Sequence, residues 1–166
     1  MIARTLLVSV ALALAAPSSS RAECPASKVD VADWALVRSA KMPGFTLRLP
    51  RTFARDSAST TGGSAPGARW SNGGRARLAM SHGATTAAPT RLPASGGRTM
   101  YTICEDRVGT ATATVVAYAE ATNAFVVHAS LRWPDGETLD VRADATDRAH
   151  LEQLLAAVRT IRRAGA

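Results

Sequence analysis

Apolar and polar positions alternate cleanly at Phe45-Thr46-Leu47-Arg48-Leu49, which predicts a strand with Phe45, Leu47 and Leu49 facing a core. Pro50 ends it. Ahead of it, Val29–Arg38 reads as a short strand around Trp34–Arg38 or one helical turn, and Met42-Pro43-Gly44 as a turn. Asn72-Gly73-Gly74 favours a tight hairpin between Ala68–Ser71 and Arg75–Ser81, because Asn and Gly tolerate positive φ. On the second of these strands Ala76, Leu78 and Met80 face one way, and Arg75, Arg77 and Ala79 the other. Thr99–Cys104 is a strand and Glu105–Gly109 a turn. Thr110–Glu120 and Ala124–Trp133 are the longest strands, joined at Thr122-Asn123. A two-residue turn there places Val116 and Tyr118 on the face of Phe125, Val127, Ala129 and Leu131. The Ala111, Ala113, Ala117 side is then a shallow surface that lets another element approach. A slip of one residue exchanges the faces. Pro134-Asp135-Gly136 turns the chain into a short strand, Thr138–Arg142.

The period then changes. Leu151, Leu154, Leu155, Val158 and Ile161 fall at helical spacing and predict an amphipathic helix over about 147–163. Asp144 or Thr146 serves as N-cap, and Asp147 places negative charge at the positive end of the helix dipole. An aspartate at Leu155 is expected to abolish folding. The fold class is α+β: an antiparallel β-sheet packed by a C-terminal amphipathic helix. Stretches near 54–67 and 83–98 are rich in Gly, Ser, Thr and Pro and read as flexible loops.

The first residues follow a different pattern. Arg4 precedes an apolar run from Leu6 to Ala16, Pro17 and Ser18–Ser20 break it, and small residues Ser20 and Ala22 flank Arg21. This is the three-part layout of a secretory signal over 1–22, cleaved between Ala22 and Glu23. The run is far shorter than the ~20 residues a membrane span needs. Without a twin-arginine pair the general secretory route is expected, to the periplasm or medium of a bacterium. Glu23 just before Cys24 argues against a lipid anchor there. The remainder, 23–166, suits a single domain.

An exported chain with two cysteines most simply forms one disulfide, Cys24–Cys104, and no transmembrane span. It closes a loop of about 80 residues, which the chain-entropy argument credits with roughly 4–5 kcal/mol as an upper figure. The whole sequence carries a formal charge of +7, with the positive excess concentrated between Trp34 and Cys104. That segment holds one acidic residue, Asp56. Such a segment is either a solvated arginine-rich surface or a face for an anionic partner. Anionic cell-envelope material is the partner class of choice, with another exported protein as the alternative. Nucleic acid is not expected, since an exported address and the lack of stacking aromatics in the basic loops oppose it. Low-specificity binding candidates are Arg48, Arg75, Arg77, His128 and Arg132.

Phe45-x-Leu47-x-Leu49-Pro50-x-x-Phe53 resembles the opening strand of the PsbP-like fold, and the closing Val158-Arg159-Thr160-Ile161 is similar to that family's last helix. The likeness covers about a fifth of the chain after residue 22. It implies an α/β fold whose members are mostly non-enzymatic binding or assembly proteins. No ligand residue of that family has a counterpart here.

Catalytic motifs are not apparent. Ser81 and His82 are neighbours in sequence, which is not a dyad, because nucleophile and base must converge in space with an orienting third group. His128 sits mid-strand with Ser130 and Arg132 in a small polar row. His150 falls in the first turn of the helix and reads as solvated. The acidic residues Asp135, Glu137, Asp140, Asp144 and Asp147 lack calcium-loop spacing. No cofactor or metal is expected. The leading expectation is a non-enzymatic extracytoplasmic binding or interaction module. The alternative is a small secreted hydrolase with a non-standard site near His82 or His128.

Overall fold

The computed structural model describes residues 21–56, 67–82, 99–120 and 124–164. The expected signal segment up to Ser20, the stretches 57–66 and 83–98, and the junction at Thr122-Asn123 lie outside the described residues. In chain order the elements are β1 (Ala35–Ser39), β2 (Met42–Leu49), β3 (Ala54–Arg55), β4 (Gly67–Asn72), β5 (Ala76–His82), β6 (Thr99–Val108), β7 (Ala111–Ala119), β8 (Phe125–Arg132), β9 (Thr138–Ala145), α1 (Arg148–Arg159) and β10 (Arg162–Arg163). β3-β4-β5-β9-β8-β7-β6 form a seven-stranded sheet, and β1-β2-β10 a three-stranded one. Every strand pair in both is antiparallel. The chain is a single α+β domain, antiparallel sheets packed against one C-terminal helix.

Helix and small sheet share one face of the large sheet, its inner face. Leu78, Leu131, Leu139, Val127 and Val141 rise from that face, and Leu47, Leu49, Leu151, Leu154 and Ile161 meet them from above, all essentially solvent-free. Each such side chain contributes about 1.5–3 kcal/mol by leaving water. Gly73 and Gly74, both at positive φ, close the β4–β5 hairpin where the Asn-Gly-Gly run predicts it.

The β7–β8 register is the slipped alternative: Ala117 pairs with Val127, Val115 with Ala129 and Ala113 with Leu131. The alanine side of β7 therefore faces inward and is buried. Val116, Tyr118 and Val126 go to the outer face and form a second apolar cluster with Ile103.

Several elements differ from expectation. The helix ends at Arg159, not near 163. Asp147 itself is the N-cap, accepting from the His150 backbone N–H at 2.9 Å. Thr160 closes the helix: its hydroxyl donates to the Ala157 carbonyl and accepts the Arg48 backbone N–H. Arg162 and Arg163 then pair with Thr46 and Phe45 of β2. Helical periodicity cannot register this stop, because the competing partner comes from a distant strand. Met42-Pro43-Gly44 is strand rather than turn. The β1–β2 register shifts between Arg38 and Ser39, leaving Pro43–Phe45 as extra residues in a bulge, where proline costs no ladder bond. The turn is at Ala40-Lys41, where the Ser39 hydroxyl accepts the Lys41 N–H. Glu105–Val108 continues β6, and the chain turns at Gly109, φ 63°. The expected loop over 54–67 is ordered at both ends, as β3 and the first residue of β4. Leu155 is only half-buried.

A candidate ligand cavity under a disulfide-tied strap

The sheet is wider than the helix. α1 covers the middle strands, and on the β6–β7 side the inner face is roofed by the extended segment Cys24–Val29. Beneath it lies a cavity of about 510 Å³. Val108, Val115, Leu155, Val158 and the Cys24–Cys104 disulfide line its floor and walls. Thr102, Ser27, Lys28, Asp106, Arg148, Glu152 and Arg159 supply its polar rim. Half-buried Leu155 belongs to this wall, which is why its spacing matches the core stripe while its surroundings do not.

Three kinds of contact hold the strap. The disulfide joins Cys24 to Cys104 with Cα atoms 4.8 Å apart. Backbone bonds run from Cys24 N–H to the Glu105 carbonyl (2.8 Å) and from Glu105 N–H to the Ala22 carbonyl (2.9 Å), with a short parallel bridge at Glu23. The expected disulfide pairing is thus present, and the segment also covers the open edge of β6. Arg159 adds the third: Nε pairs with Asp106 Oδ2 at 2.5 Å while Nη2 donates to the Pro25 carbonyl. The pair is about four-fifths buried, so removing one partner strands the other charge and costs more than breaking an exposed pair. At the mouth, Arg148 and Glu152 form a loose pair at 3.8 Å, one helical turn apart. Lys28 has no ion-pair partner among the described residues. The lining charges sum to one positive unit: Lys28, Arg148 and Arg159 against Asp106 and Glu152. A partly open cleft of this size, with an apolar floor and a polar, charged rim, has the make-up of a small-molecule site.

The basic candidates from the sequence do not converge. Arg48 lies on β2, and its Nη1 donates to the Ala32 and Trp34 carbonyls, fastening the chain before β1. Arg75 stands at the hairpin tip, where its carbonyl accepts from Thr146. Arg77, His128 and Arg132 do share the outer face of the large sheet. His128 stacks against Tyr118, ring centroids 6.1 Å apart at 10°. The outer face also carries Arg69 and Arg142, beside Ala79. Simple alternation along β4 and β9 would have found them.

Ser81 and His82 point to opposite faces, as consecutive strand residues must. Ser81 is on the outer face, while His82 meets Phe45 edge-on, centroids 5.7 Å apart, and bonds Glu137 Oε1 through Nε2 at 2.6 Å. The geometry therefore brings neither Ser81 nor His128 to His82. His150 is not solvated: its Nδ1 sits 2.7 Å from Asp147 Oδ2, with only 15% of its side chain exposed. The His150 backbone N–H, then its ring, hold the Asp147 carboxyl below its ordinary value.

The acidic residues after β8 are tied up by the C-terminal strand. Arg163 Nη1 meets Asp135 Oδ2 at 2.5 Å, and Arg163 Nε meets Glu137 Oε2 at 2.6 Å. The Arg163 hydrogen bond draws the Asp135 carboxyl down. Burial pushes Asp140 up on the outer face, against a smaller opposing hydrogen bond from Ser130. Among the described residues no three His, Cys, Asp or Glu side chains are grouped to hold a metal ion, and no helix is long and apolar enough to cross a membrane. No protein-family model matches the chain, and no curated relative matches it.

Proposed function

We propose that the chain is an exported, non-enzymatic binding module that takes an anionic amphiphile of the cell envelope into the strapped cavity. The observation that carries this is the 510 Å³ volume with an apolar floor and cations Lys28 and Arg148 at its mouth. An alkyl chain placed there leaves water, and an anionic head remains beside the lysine, half in solvent. The export part rests on the pattern of residues 1–22 and on the disulfide, a bond kept mainly in oxidising compartments. Sequencing of the secreted protein should begin at Glu23; an intact N-terminus in the cytoplasm refutes export. Kinship with the PsbP-like fold belongs to the same proposal, supported by the burial of Phe45, Leu47, Leu49 and Phe53 in this pattern.

Calorimetric titration with decanoate, below its micelle concentration, tests the site. Saturable one-to-one binding is expected, weaker for decanol and weaker for Lys28→Ala. Leu155→Trp fills the wall and should abolish it. Absence of saturable heat with the wild type at each of two well-separated temperatures, or binding indifferent to Leu155→Trp in a folded variant, refutes the cavity as the site.

A further inference from the structure

On the outer face, β4, β5 and β9 form a trough of about 430 Å³, separated from the cavity by the sheet itself. Ala79 lies in it, paired with Arg69 on one side and Arg142 on the other. Two strand spacings put these arginines about 10 Å apart across a methyl group. Arg77, two residues along β5, stands between Ser71 and Asp144. All three arginines are exposed, and none has an ion-pair partner among the described residues. Asp56 and Asp144 also line the trough.

We propose that this trough binds an acidic polysaccharide through its carboxylates and hydroxyls. Planar guanidinium groups match planar carboxylates with two parallel hydrogen bonds each. Sugar hydroxyls both donate and accept, so they suit a lining that interleaves Arg and Ser donors with Asp acceptors. Polyphosphate, with denser charge and no hydroxyls along the chain to donate to Asp56 and Asp144, would meet more repulsion from those carboxylates. An acidic peptide would need apolar anchor pockets for affinity, and the lining is arginine, serine, glycine, aspartate and alanine around the buried Trp70 and Leu78. A bilayer is a poor occupant: the trough is concave, and the exposed large apolar residue among the described ones, Leu36, is on β1 in the other layer.

Affinity electrophoresis of the wild type through gels containing polygalacturonate tests this, with polyphosphate, polyglutamate and neutral dextran as comparison polymers. Retardation by polygalacturonate is expected, falling with salt and weakened about tenfold in R69A/R142A, since each lost bidentate pair removes a strong contact. An unchanged melting transition in R69A/R142A establishes that its fold is intact; R69K/R142K, which keeps charge but loses the planar fork, serves instead if it is not. Equal retardation by polyphosphate or polyglutamate, or indifference to both double variants, overturns the proposal. Leu155→Trp should leave polygalacturonate binding intact, so the two sites fail independently.

Discussion

Arginines on the two sides of the large sheet live differently. In the covered layer, Arg159 holds Asp106 and a strap carbonyl, and Arg163 holds Asp135 and Glu137. On the outer face, Arg69, Arg77 and Arg142 stand exposed without ion-pair partners among the described residues, although Asp144 is directly across from Arg77. The difference follows desolvation. A guanidinium brought under another layer loses water and must find acceptors, whereas an exposed one keeps its water and gains little from pairing. Arginines of the first kind are structural, and those of the second kind are available to a ligand.

The largest expected effect lies in the covered layer. Leu154 is 1% exposed, so Leu154→Ala should cost about 2–5 kcal/mol, and Leu154→Asp should remove the cooperative melt altogether. The same aspartate at half-buried Leu155 should still allow a folded protein that has lost decanoate binding. If Leu155→Asp unfolds as completely as Leu154→Asp, the cavity wall is core and the division drawn above is misplaced.

Removing the disulfide comes next. C24S/C104S should lower stability by up to about 4–5 kcal/mol in denaturant titration, with the 80-residue loop set free. It should also raise hydrogen exchange at the Glu105 N–H, whose acceptor is the Ala22 carbonyl. Asp106→Asn is smaller, about 1–3 kcal/mol, because Arg159 keeps its place under the strap without its carboxylate. An effect near zero would mean that this pair behaves like the exposed outer-face charges.

The smallest effect depends on pH. The Asp147 carboxyl sits below the ordinary aspartate value, 3.8, so the folded state binds fewer protons than the unfolded state in that range. Its stabilisation is complete above the unfolded value and fades as pH falls through the folded one. Wild type should melt a few degrees above Asp147→Asn at pH 7, and the gap should close below pH 4. A gap unchanged at pH 2 would show that the cap works without its charge.

Much of this architecture was legible because it depends on short-range periodicity. Phe45, Leu47 and Leu49, the Ala76, Leu78, Met80 alternation, and the stripe from Leu151 to Ile161 each name a buried face in the sequence alone. Two cysteines in one chain allow a single intramolecular pairing, so Cys24–Cys104 needed no geometry. Other features needed contacts between distant residues. The helix stops at Arg159 because Thr160 meets Arg48 and the next residues join β2, 112 positions away in the case of that hydrogen bond. The β7–β8 register, which sends the alanines inward, depends on pairing between whole strands and not on the pattern of either one. The cavity exists because one helix of this length covers only part of a seven-stranded sheet, and the segment Cys24–Val29 roofs the remainder. Local pattern determines which side of each strand or helix leaves water. Where two such surfaces fail to meet, and so leave room for a ligand, is a property of their lengths and crossings that no local pattern contains.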